Sequence, residues 1–323
     1  MNKLAQWGNE LYTGKRSYPF VPKRKLWFSI AAVLLLLSIL VPVVKGGFNL
    51  GIDFRGGSEF TVSAVANTDV SLGETAVATA VPGQEATVTN IAPNTMRIQT
   101  ERLDDDQTLS IAAELAAAYE VGTDQVTSTF IGPTWGQDVS RQALVGLVAF
   151  VVLVTLLMAA YFRTWKMSAA AVIGLMTVIV ITMGIYGLSG FEITPSAIIG
   201  FLTIMSYCLY DTVVVFDKIR ENTANFIENE DRTFNELVNL AVNQTLVRSI
   251  NTSVVAVLPV AAILFIGSYL LGAGTLKDLS LALFIGLIIS ALSTLFVQAP
   301  MYSWLRRNEP DVVAQRERLL AKR

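Results

Sequence analysis

Residues 193–216 read ITPSAIIGFLTIMSYCLYDTVVVF, an apolar run whose only charge is Asp211. The run is longer than the roughly 20 residues a helix needs to cross a bilayer. A carboxylate at the centre of such a helix costs about 2.5–3.5 kcal/mol on insertion scales, and less off-centre. Asp211 must therefore face protein or water. Five further runs of comparable length are Leu26–Val44, Gln142–Phe162, Met167–Phe191, Ser249–Leu276 and Leu279–Leu305. Together they predict an α-helical membrane protein with six transmembrane helices. Composition agrees. The chain of 323 residues is 53% hydrophobic and 15% charged, with mean hydropathy +0.52. A soluble domain carries about 25% charged residues, so a wholly soluble chain and a disordered one are both excluded.

Lys and Arg divide unequally between the two sides. One side, made of 1–25, 163–166, 217–248 and the tail after Leu305, carries 18; the other carries 6. By the positive-inside rule both termini are expected in the cytoplasm. The reading is a cytoplasmic tail over 1–25, a first span over 26–45 serving as an uncleaved signal anchor, and an exterior domain over 46–141. Spans two to six then fill 142–305, with a cytoplasmic segment at 217–247 read as an amphipathic helix along the membrane. A second tail covers 306–323.

The exterior segment holds thirteen Asp and Glu against four Arg. Ser58–Ala64, Ala86–Ala92, Thr95–Thr100 and Gln125–Ile131 alternate as strands do. Ser71–Val81 and Asp105–Glu120 read as helices, the second with acidic residues at its N-terminus, where the helix dipole favours them. The order βαββαβ predicts a small ferredoxin-like α+β domain.

Several chemistries are excluded. The chain has no histidine and one cysteine, which removes histidine triads, histidine metal sites and an intramolecular disulfide. Gly8–Lys15 fails as a phosphate loop: five residues separate its glycines, and Arg16 stands where a magnesium-binding hydroxyl belongs. No cofactor or metal is expected, nor an enzyme. The net charge of −2 gives no argument for nucleic acid.

Asp211 is thus the candidate proton carrier. Gly200, Thr203, Tyr207 and Asp211 recur at helical spacing, so one face carries the polar groups. Arg248 opens the fifth run with Asn251 and Thr252 at i+3 and i+4, and is the expected partner of Asp211. A gated proton site, a permanent ion pair and a snorkelling arginine all fit that pattern. Cys208 is read as a packing residue. Glu192 is read as a solvated interfacial charge, with proton entry as the alternative. Gly184, Gly187 and Gly190 either permit close helix packing or are ordinary membrane-helix glycines.

Four stretches resemble the SecF family, the smaller membrane subunit of the SecDF export complex. Gly51-Ile52-Asp53-Phe54-Arg55-Gly56-Gly57 is similar to the family motif after the first span; the related SecD subunit usually has leucine at the Phe54 position. Asp211–Glu221 (DTVVVFDKIRE) and Asn243–Ser253 (NQTLVRSINTS) resemble the fourth- and fifth-span motifs, and Gly272–Leu283 the start of the sixth. Lys218, Tyr210 and Ser290–Thr294 depart from the family pattern. The resemblance implies an RND-like half-transporter in the cell membrane that pairs with SecD. It would use the proton motive force to help draw unfolded preproteins through SecYEG after the SecA-driven step. It places Asp211 and Arg248 on the proton pathway. A small-molecule RND exporter and a proton-independent scaffold for SecD remain as rivals.

Overall fold

The computed structural model describes residues 3–162, 164–268 and 274–322. Arg163 and Arg323 of the charge count, and Gly272 of the sixth-span resemblance, lie outside the described residues. The helices are α1 (Lys3–Tyr12), α2 (Arg24–Val44), α3 (Ile52–Arg55), α4 (Val70–Ala80), α5 (Asp105–Ala118) and α6 (Pro133–Phe162). They continue with α7 (Trp165–Ser189), α8 (Pro195–Asn222), α9 (Phe234–Ala262), α10 (Gly274–Ser293), α11 (Ala299–Arg306) and α12 (Pro310–Lys322). Short π-helical turns at Ile263–Ser268 and Thr294–Gln298 extend α9 and join α10 to α11. Six of these helical stretches are long and apolar enough to cross a membrane.

The strands are β1 (Gly57–Ser63), β2 (Ala86–Ala92), β3 (Thr95–Thr100) and β4 (Val126–Ile131). They form one antiparallel sheet in the order β2-β3-β1-β4, the ferredoxin-like arrangement. Side chains alternate across a strand. Phe60, Val62, Met96 and Ile98 therefore meet Val77, Ile111, Leu115 and Tyr119 of the helical layer in a separate small core. Asp104 and Gln107 close a capping box that starts α5, which is the local reason the helix begins at 105.

The helices run past the limits that charge suggests. α6 begins at Pro133, so 133–141 belongs to the second span's helix and not to the α+β domain. Asp138 and Arg141 mark where apolar surface ends, yet neither residue breaks a helix. The segment 217–247 is not a separate surface helix. α8 continues to Asn222, and a Thr233–Glu236 capping box starts α9, which carries straight on into the fifth span. Nor are the tails loose. Leu11 of α1 is fully buried, and Gln315 of α12 bonds the Phe234 amide and the Phe226 carbonyl.

About half of the most apolar stretch of α7, of α8 and of the sixth span is buried, whereas α2, α6 and α9 are mostly exposed there. The inner helices approach closely through glycine. A methyl group on Gly200 of α8 would stand 2.7 Å from the Ala282 Cβ of α10, and one on Gly286 would overlap Ile204.

Candidate functional site

Asp211 lies on the buried face of α8 with Ile204, Cys208 and Val215. Ser249 of α9 donates a 2.6 Å hydrogen bond to its Oδ1. Oδ2 is buried and has no hydrogen-bond partner among the described residues. The Thr294 hydroxyl, on the π turn of the sixth span, lies beside the carboxyl. Tyr207, Thr252, Ser253 and Ser290 line a cavity of about 10 Å³ against Asp211, close to the least volume that holds one water.

Arg248 does not take the expected place. Its side chain is exposed and it makes no ion pair among the described residues. Adjacent residues of an α-helix point about 100° apart. With Ser249 facing α8, Arg248 lies to one side of that face, and its charge acts on Asp211 without a direct bond. The polar face that meets Asp211 is therefore 249, 252 and 253, one residue out of register with the expected 248, 251 and 252. Thr252 and Tyr207 reach the cavity. Asn251 and Thr203 are exposed, and the Thr203 hydroxyl bonds the Ile199 carbonyl of its own helix.

A second buried network adjoins the first. Thr212 Oγ1 lies 2.7 Å from the Cys208 carbonyl and 2.6 Å from Gln298 Oε1. Gln298 Nε2 lies 3.4 Å from Cys208 Sγ. Gln298 ends the π turn and fills the space beside Gly174 of α7, where a Cβ would overlap it. As a polar side chain in an apolar run, Gln298 carries a signal in the sequence, though it is not among the residues expected at the site. Ser249 and Thr294 carry no such signal.

The glycine motif has a different task. Gly51 donates to the Ile193 carbonyl at 3.0 Å, and Ile193 donates to Asn49 at 2.8 Å. The link between α7 and α8 is thus stitched to the root of the α+β domain. Ile52 and Phe54 are buried, while the half-buried Asp53 carboxyl is pushed up by burial, with Glu59 adding to the shift and Arg97 opposing it. Gly56 and Gly57 have φ of +77° and +138°, and a Cβ on Gly57 would stand 2.5 Å from the Thr100 carbonyl. Gly57→Ala is expected to lower the stability of the α+β domain by about 1–3 kcal/mol. Gly83→Ala, at φ +89° in open space, should cost only the left-handed backbone penalty of about 1–2 kcal/mol. Pulse proteolysis of the two variants checks the difference.

Glu192 is not a solvated charge. Its side chain is 8% exposed and pairs with Arg97 of β3 at 3.4 Å.

The family model described as "Protein export membrane protein SecD/SecF, C-terminal" matches residues 111–308, and the "SecD/SecF GG Motif" matches residues 43–66. The chain is 41% identical over 323 residues to protein translocase subunit SecF of Streptomyces coelicolor, covering 100% of this chain and 86% of that one. It is 37% identical to the Mycobacterium tuberculosis SecF, covering 98% and 73%. The solved structure of SecDF from Thermus thermophilus shares the fold with a TM-score of 0.79 at 28% identity, covering 91% of this chain and 39% of that one. This chain therefore spans about two fifths of the length of that structure. The matched regions hold both the glycine turn and the buried aspartate, and the chain belongs to the SecF family of protein translocase subunits.

Proposed function

We propose that this chain is a proton-coupled subunit of the Sec protein translocase. It works with SecD, both termini in the cytoplasm and the α+β domain outside. The pair uses the proton motive force to help draw unfolded preproteins through SecYEG after SecA has driven them in. Asp211 is the proton carrier. Ser249, Tyr207 and Thr252 surround it, and Arg248 and Asn251 flank it on the exposed side of α9. Protonation changes the pairing of Asp211 and shifts α8 against α9 and the sixth span, and the α+β domain moves with them. One charge crossing a 100 mV potential supplies about 2.3 kcal/mol, so a few protons suffice to bias such a movement.

The observation that carries this reading is the Asp211 carboxyl, buried between helices with one oxygen bonded by a serine, the other in no hydrogen bond among the described residues, and the Thr294 hydroxyl beside it. A carboxyl in that setting can accept a proton without breaking an ion pair. No nucleotide chemistry is invoked.

The test is preprotein export in cells whose only copy carries Asp211→Asn, with and without an uncoupler. Protein level and co-purification with SecD are followed alongside. The expected result is normal assembly with loss of the gradient-dependent part of export. Unchanged export with an unchanged response to uncoupler overturns the proton role and leaves a scaffold.

A further inference from the structure

The sheet of the α+β domain has two faces. One covers the small core. The other carries Glu59 of β1 and Arg97 and Gln99 of β3, which meet Glu192 in the α7–α8 connection. Glu192 Oε2 accepts from Arg97 Nη1 at 3.4 Å and from Gln99 Nε2 at 3.2 Å. Glu192 Oε1 is buried with no partner among the described residues, and so is Oε1 of Gln99. These are two acceptors without a donor, on two side chains that already touch; the cluster's unpartnered donor, Arg97 Nε, sits 3.6 Å from Glu59 Oε2 instead. Buried polar atoms are nearly always satisfied. One added proton would satisfy both, because a protonated glutamate donates where a carboxylate can only accept.

The charges around Glu192 act in both directions, Arg97 against a proton and Asp278 and Glu59 for one. Asp53 of α3, Glu59 of β1, Arg97 of β3, and Lys277 and Asp278 of α10 act on this cluster. With Glu192 itself, four carboxyls share the space with two cations.

We propose that Glu192 is a proton-uptake site at the outer end of the spans, loaded when the α+β domain docks there and emptied when the domain lifts. A proton from water joins Glu192 on docking and returns to water on lifting; no covalent bond within the chain changes. This site is separate from Asp211 and does not rest on it. Burial pushes the Glu192 carboxyl above its ordinary range, with Arg97 opposing. The docked state therefore holds the proton more tightly than a lifted state in which Glu192 is solvated. By linkage, acidification favours docking, and that contribution is lost as pH rises through the raised value.

The experiment uses the full chain with its SecD partner in lipid nanodiscs. Spin labels at Ser110→Cys on α5 and Leu188→Cys at the end of α7 report the distance from domain to spans, between about pH 5 and pH 8. In the otherwise native protein the docked population should rise as pH falls. Glu192→Gln, an uncharged mimic of the protonated acid, should remain docked with no pH dependence. Arg97→Gln removes the cation that holds the carboxyl down, and should move the profile to higher pH. Asp211→Asn shifts the docked population as a whole if the inner site also moves the domain, but the rise in docking with falling pH should persist, which separates this site from the inner one. A flat profile in the native protein, a native profile in Glu192→Gln, a profile unmoved or moved to lower pH in Arg97→Gln, or a profile lost in Asp211→Asn would each overturn the proposal.

Discussion

Gly184→Leu is expected to unseat the first span from the third and to remove most of the folded protein from the membrane. Gly184 faces Ser38 of α2, and any Cβ there would overlap the serine side chain and press on its Cα. Three residues on, a Cβ at Gly187 would stand 2.5 Å from Pro42 Cγ. The crossing is set by backbone against side chain, so a rotamer change does not relieve it. Overpacking by a methylene or two in a core that can adjust costs about 1–3 kcal/mol. A whole leucine against backbone should exceed that range. Gly190 supplies the contrast. It caps α7 in the left-handed conformation, φ +76°, with nothing within 4 Å of where a Cβ would stand. Gly190→Ala should cost only about 1–2 kcal/mol. Membrane levels and thermal melting in detergent separate the two. A Gly184→Leu protein that melts with the native one would show that the crossing is not tight.

Asn243→Leu should release the N-terminal segment. Asn243 is fully buried. Its Oδ1 accepts from the Tyr18 amide at 2.7 Å, and its Nδ2 donates to the Tyr18 carbonyl at 3.0 Å. Asn239, one turn earlier, bonds the Val21 amide and Ser17. Leucine has the same number of side-chain heavy atoms as asparagine and leaves the Tyr18 amide without its partner, while the Tyr18 carbonyl keeps Asn239 Nδ2 and the Phe20 amide. An unsatisfied buried amide costs about 1–3 kcal/mol, and the side-chain clamp that ties Tyr18 to α9 is lost with it. Limited proteolysis should then cut within residues 13–25, with α9 and the spans intact. Protection equal to the native protein would refute the role.

Much of this architecture is legible in the sequence. Strands 86–92 and 95–100 are located to the residue because alternation and the Pro93-Asn94 turn sit together. Apolar length places all six spans along the chain. Hydropathy fixes position along a helix and says little about rotation around it, so charge points to Arg248 where the fold uses Ser249. Charge shows where lipid ends and not where a helix ends, and α6 and α9 accordingly begin earlier than the charges suggest. Glu192 escapes a sequence reading for another reason. Its partners Arg97 and Gln99 lie 95 and 93 residues away in sequence, and only the folded sheet brings them under the α7–α8 link. Gly184, Gly187 and Gly190 are visible as glycines, but the first two serve a crossing and the third caps α7, a distinction that needs the neighbouring helix.

On α8, Ile199, Thr203, Ser206 and Tyr210 form an exposed stripe; on α9, Arg248, Asn251, Val255 and Leu258 form another. The Thr203 and Ser206 hydroxyls bond carbonyls of their own helix, but an amide and a guanidinium left facing hydrocarbon are costly. A copy synthesised in excess of its SecD partner would present those groups to lipid, where membrane quality-control proteases act on unassembled helices. The abundance of this subunit would then follow that of its partner, with matched stoichiometry imposed after synthesis and without any need for matched expression.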